Sequence, residues 1–152
     1  METNIINNQF ALQYMFNKKS EFVIENIVSK NAFFYQIHQS ETNDNLFFVH
    51  AKQITTDTDK VSSINYSGYI VINKGYYNYR QGKRGNLSAD DKPIVALLYT
   101  ISRLKSNKLN ANVHIKHTGK CCMCGRRLTD DESIKRGFGN TCWKQYQLYK
   151  GI

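Results

Sequence analysis

Cys121 and Cys124 stand two residues apart and are followed by Gly125, a knuckle spacing that aims two thiolates at one ion while the backbone turns tightly beneath them. Cys142 comes after Gly137-Phe138-Gly139-Asn140-Thr141, an approach that sets a third thiolate in the first turn of a terminal helix. His117 precedes the knuckle with H-x3-C spacing and completes a Cys3His set, the four donors that a closed tetrahedral site requires. His114, on the same expected strand, competes for the fourth position. Cys122, next to a ligand, suits packing as a small hydrophobe better than ligation. One structural zinc ion is the chemistry this pattern predicts. A catalytic zinc keeps a position for water, so a filled set argues against an enzyme.

Three thiolates and a neutral imidazole around a divalent cation carry a charge of about −1, which Lys120, Arg126 and Arg127 are placed to offset. The same arginines, turned outward, would meet phosphate. Asp130, Asp131 and Glu132 follow Thr129 in the manner of a helix start, with Thr129 as N-cap and Glu132 closing a capping box, so they read as structural acids. His38 and His50 fall in expected strands with no nucleophile or paired acid beside them. No catalytic residue is assigned.

A second concentration of chemistry lies upstream. Lys74, Arg80, Lys83 and Arg84 interleave with Tyr76, Tyr77 and Tyr79, combining attraction for phosphate with faces on which unpaired bases can stack. The whole chain shares the bias: 21 Lys and Arg against 12 Asp and Glu give a formal charge of +9, a field that favours polyanions. Nucleic acid, DNA or RNA, is the expected partner. A second class of function is an effector that binds and inhibits a host nucleic-acid-handling or defence protein, for which the same charge could occupy a nucleic-acid channel.

The compartment follows from what is missing. No apolar run approaches the roughly 18 residues of a membrane span, and Met1-Glu2-Thr3-Asn4 lacks the basic start of a secretory signal. All four cysteines fall between 121 and 142, unlike a disulfide framework spread through a secreted chain. A reducing cytoplasm is expected.

These residues need elements to position them, and 152 residues with 41% hydrophobic content suffice for a real core. Residues 4–18 show a loose helical spacing of apolar side chains. Short β-branched and aromatic runs at 22–28, 33–37, 46–51, 66–72 and 76–79 predict strands, and their brief polar connections predict antiparallel hairpins. Residues 55–63 read as a polar loop, and residues 80–87 as a basic one bearing Gly82 and Gly85. Ile94, Leu97, Leu98, Ile101 and Leu104 recur at helical spacing behind Asp90, Asp91 and Pro93, predicting a helix over about 91–105. Residues 110–116 alternate Val113 and Ile115 as a strand running into the knuckle. Trp143, Tyr146 and Tyr149 would line a last helix and pack over the metal. The expected fold is α+β: an antiparallel sheet packed with one long helix in residues 1–110, then a zinc-knuckle module at 111–152 ending in a helix.

The run from His117 to Cys142, with Gly119, Cys121, Cys124-Gly125-Arg126, Leu128-Thr129-Asp130, Glu132-Ser133-Ile134, Gly137 and Gly139 at matching places, resembles a family of uncharacterised phage and prophage proteins. Their pattern is approximately H-x-G-x-C-x-x-C-G-R-x-L-T-D-P-E-S-I-x-x-G-x-G-P-x-C. The resemblance implies zinc held by His117, Cys121, Cys124 and Cys142, and a phage or prophage origin, but no activity. Asp131 and Asn140 replace prolines of that pattern near helix starts, where proline is permitted rather than required.

Overall fold

The computed structural model describes residues 4–54 and 64–151; the polar loop expected at 55–63 lies outside the described residues. In chain order the elements are β1 (Asn4–Ile5), α1 (Asn8–Met15), β2 (Lys19–Asn26), β3 (Ala32–Gln39), β4 (Leu46–Ile54), β5 (Tyr66–Asn73), β6 (Tyr76–Arg80), α2 (Lys92–Lys105), β7 (Val113–His117), α3 (Asp131–Arg136) and α4 (Asn140–Lys150). All strands pair antiparallel in one sheet of order β1-β7-β2-β3-β4-β5-β6. From β2 to β6 it is a meander, and the β2–β3, β3–β4 and β5–β6 connections are the short polar ones that favour hairpins. The expected α+β class is the observed one.

β7 breaks the sequential order, entering the sheet between β1 and β2 and pairing Ile115 with Ile24 and Lys116 with Val23. Backbone pairing therefore crosses the boundary expected at residue 110. The helical spacing over 4–18 also resolves differently: Asn4 and Ile5 are drawn into the sheet opposite His117 and Lys116, and the helix is confined to α1. Asn7 caps it, its side-chain oxygen accepting from the Gln9 amide at 3.1 Å.

The two sheet faces differ because strand side chains alternate. On one, Phe22, Tyr35, Ile37, Val49, Ile70 and Ile115 join Met15 of α1 and Ile94, Leu97 and Ile101 of α2 in the main core. Tyr35 ties the layers directly, its buried hydroxyl donating to the Pro93 carbonyl at 2.6 Å. The other face holds a small cluster of Val23, Ala32, Phe34 and Ile54 with Ile64 against it. Ala11, Tyr14 and Met15 of α1 and Ile94, Leu97 and Ile101 of α2 are all buried on the first face.

An irregularity shapes the β4–β5–β6 end. Val49 pairs with Gly68 but His50 pairs with Tyr66, so Ser67 bulges, and its hydroxyl accepts from the Ala51 amide at 2.9 Å. The Tyr79 hydroxyl reaches under the bulge to the Ser67 and Leu87 carbonyls at 2.8 and 2.7 Å. Gly68 is required there, since a Cβ would lie 2.3 Å from that hydroxyl oxygen. Residues 86 and 87 return beside β5, with the Asn86 amide donating to the Tyr66 carbonyl at 3.2 Å.

Replacing Tyr35 with Phe keeps the ring and strands the Pro93 carbonyl. A loss of about 1–2 kcal/mol in urea unfolding is expected, with an unchanged m-value.

Candidate metal centre and open sheet face

β7 ends at His117, and the chain then folds into a hairpin. The Leu128 amide donates to the Gly119 carbonyl at 2.7 Å, Lys120 bridges Arg127, and the Cys121 amide donates to the Arg126 carbonyl at 2.9 Å. Gly125 closes the turn at φ +76°, a conformation that a side chain would strain. Its amide donates to the Cys121 carbonyl at 2.9 Å, while the Met123 amide points at Cys121 Sγ from 3.4 Å. α3 then crosses, capped by Asp130, whose carboxylate accepts from the Ser133 amide at 3.2 Å. This corrects the expected Thr129 cap by one residue. α4 starts after Gly139 and carries Cys142 in its first turn.

Together these elements bring Cys121, Cys124 and Cys142 so close that their ligand atoms all lie within 4.8 Å of one another. Three thiolates around one ion, each about 2.3 Å from it, stand roughly 3.8 Å apart, so small adjustments suffice to bind a metal ion. Burial works against ionising Cys121, yet amide hydrogen bonds from Cys124, Gly139 and Met123 outweigh it and hold this thiol below its ordinary range. Burial, then hydrogen bonds with Cys124 and Cys121, push Cys142 up to about 12. A bound cation would displace the thiol protons. A cation already lies close: a Cβ on Gly125 would sit 2.8 Å from the Lys19 ammonium. Its position so far upstream hid Lys19 from any reading of the motif.

His117 is not brought into this cluster. Its ring is fully buried beside Tyr14, Nδ1 accepts from the Gly119 amide at 2.8 Å, and Nε2 donates to the Ile134 carbonyl at 2.7 Å. Burial lowers its pKa, with the Ile134 carbonyl opposing, which suits this neutral tautomer. The imidazole that spacing assigned to the metal instead joins β7, the knuckle and α3. His114 is no substitute: it sits beside Glu25 on the sheet face opposite Ile115 and His117. Cys122 packs in the main core. Trp143 and Tyr146 pack on Phe138 at 5.1 Å each, and Trp143 also meets Phe10 at 5.3 Å, so they join α4 to α1; Tyr149 is exposed.

The residues expected to meet nucleic acid are also redistributed. Tyr77 and Tyr79 pair with Ile72 and Ile70 on the helix-covered face, where Tyr77 packs on Phe16 and Tyr79 serves the bulge, so neither offers a free ring. Tyr76 is exposed, but at the hairpin tip beside Lys74 and under Lys105. Arg126 and Arg127 are exposed on the knuckle. Arg80, Lys83 and Arg84 alone come together with a different set of rings. Cross-strand pairing aligns Lys19, His38, Phe48, Tyr69 and Arg80 in one row over five strands of the open face. His50 and Tyr66 form a shorter row alongside. His38, Phe48, His50, Tyr66 and Tyr69 line one shallow depression with Lys83 and Arg84 at its rim. Glu21, aligned with Gln36 and His50, is the acid of that second row. His50 Nδ1 is buried there without a hydrogen-bond partner.

Residues 111–147 match a family described as a family of unknown function, DUF6011. The match spans β7, the knuckle, α3 and most of α4, and leaves the meander and α2 outside it. No curated protein and no solved structure matches the chain. No helix among the described residues is long and apolar enough to cross a membrane.

Replacing Cys142 with Ser should reduce bound divalent metal, measured by elemental analysis, from one ion per chain to none. Tm should fall by about 5–10 °C, as expected for losing on the order of 2–3 kcal/mol of ligand-linked stability. A second expectation concerns pH. Burial lowers the pKa of His38, and burial followed by repulsion from His38 lowers that of His50. Below about pH 6.5 the unfolded chain therefore binds protons that the folded chain refuses, and stability present above that pH is lost as it falls. The urea midpoint should drop between about pH 7.5 and pH 5.5, and drop less in a His38→Gln/His50→Gln variant.

Proposed function

We propose that the protein is a zinc-stabilised module that binds single-stranded nucleic acid across the helix-free face of its sheet. The observation that carries this reading is the row His38–Phe48–Tyr69–Arg80, in which aromatic faces run up to a cation, with Lys83 and Arg84 at the same depression. Phosphates are drawn by the cations, and each unpaired base finds a ring to stack on, worth about 1–3 kcal/mol per base. Duplex bases are already stacked on one another, so the surface favours single strands. Zinc is the metal best suited to a compact thiolate set on a C-x2-C turn, and its part is to fasten the knuckle to the first turn of α4. The formal charge of +9 supplies long-range attraction.

Anisotropy titrations with labelled single- and double-stranded DNA and RNA over a salt series test this. Phe48→Ala and Tyr69→Ala should each weaken single-strand binding about tenfold while leaving the salt slope unchanged. Lys83→Ala with Arg84→Ala should instead flatten the slope of log K against log salt by about 1.4, the change expected when two phosphates of a single strand are no longer neutralised. Wild-type affinity in both ring variants would overturn the assignment of this face.

A further inference from the structure

Three sulfurs fill three places around a tetrahedral ion, and among the described residues no imidazole, carboxylate or further thiol joins them. His117, the histidine nearest the knuckle in sequence, has both ring nitrogens engaged with backbone groups at 2.7 and 2.8 Å. Swinging it to an ion would strand a buried amide and a buried carbonyl, at about 1–3 kcal/mol each. His114 lies on the other sheet face, and Cys122 is sealed in the core. Meanwhile Cys124 is exposed and Cys142 partly so, which leaves the cluster reachable from solvent.

We propose that a metal at this centre keeps its fourth position for a donor from outside the chain. This rests on the metal reading above. Three thiolates on a divalent cation already carry a charge of about −1, so a neutral nitrogen donor of the imidazole kind enters without adding to it, whereas an anion would. A site of three protein donors with one exchangeable place is the arrangement of reactive rather than purely structural zinc. A filled Cys3His set would leave no such place; three sulfurs do.

Cobalt(II) reports the number and kind of its ligands in the visible spectrum. Metal-free protein, kept reduced with a phosphine, is loaded with one equivalent of cobalt(II) and titrated with imidazole. The thiolate-to-metal charge-transfer intensity should persist while the ligand-field bands shift and saturate at one imidazole per cobalt. His117→Gln, which retains an N–H donor and an acceptor, should give the same cobalt spectrum as the wild type. Bands indifferent to imidazole would overturn the proposal, and so would a His117→Gln spectrum showing a lost nitrogen ligand. If that variant does not fold, the wild-type titration decides alone. Failure to take up cobalt at all would remove the metal reading itself, a result distinct from uptake without response.

Discussion

A buried imidazole with two backbone partners holds the two halves of this protein in register. His117 closes β7, the strand that the meander accepts between β1 and β2, and its ring then grips Gly119 on one side and Ile134 on the other. The position of the cysteine turn relative to the sheet follows from those two bonds. The Lys19 amide adds a third tie by donating to the Cys122 carbonyl at 2.9 Å, and Cys122 itself sits in the apolar core. A ligand cluster so attached has its geometry set by the sheet before any ion arrives, which lowers the ordering that binding must impose.

The sheet divides its labour by face. Helices and the terminal aromatic cluster of Phe10, Phe138, Trp143 and Tyr146 gather on one side. The other side keeps rings in partial contact with solvent, and the Ser67 bulge bends β5 beneath them. Tyr79 links the two sides, because the hydroxyl it sends under the bulge also holds Leu87, at the end of the basic loop. Gly82 in that loop packs against Tyr69, where a Cβ would lie 3.3 Å from the ring. The basic loop is thus held beside the rings at Gly82 and at Leu87.

Much of this was legible in the chain itself. Strand runs rich in Phe, Val and Ile, the Leu and Ile spacing of α2, and three cysteines on a knuckle and a helix start each carry a local signal that tertiary contacts did not override. What was hidden depended on pairing. Tyr77 turns inward because a two-residue turn at Lys74-Gly75 sets it opposite Ile72, and alternation alone does not say which face is covered. His38, Phe48 and Tyr69 become neighbours only through the registers of two hairpins, one of them bulged. His117 misled by type: a histidine near cysteines reads as a ligand, but at a strand end it has backbone donors and acceptors competing for the same nitrogens. β1 is two residues long and has no periodicity to detect.

The place of β7 in the sheet bears on how the chain is made. β2 meets β3 as soon as the first hairpin is synthesised, yet its other edge waits for a strand that follows every other strand and α2 in the chain. On the ribosome, the growing meander would carry an unpaired, apolar β2 edge until β7 has been made, the kind of edge that recruits other chains. Closing it demands one of the longest-range contacts in the molecule, so docking of the C-terminal segment is expected to be the slow step of folding.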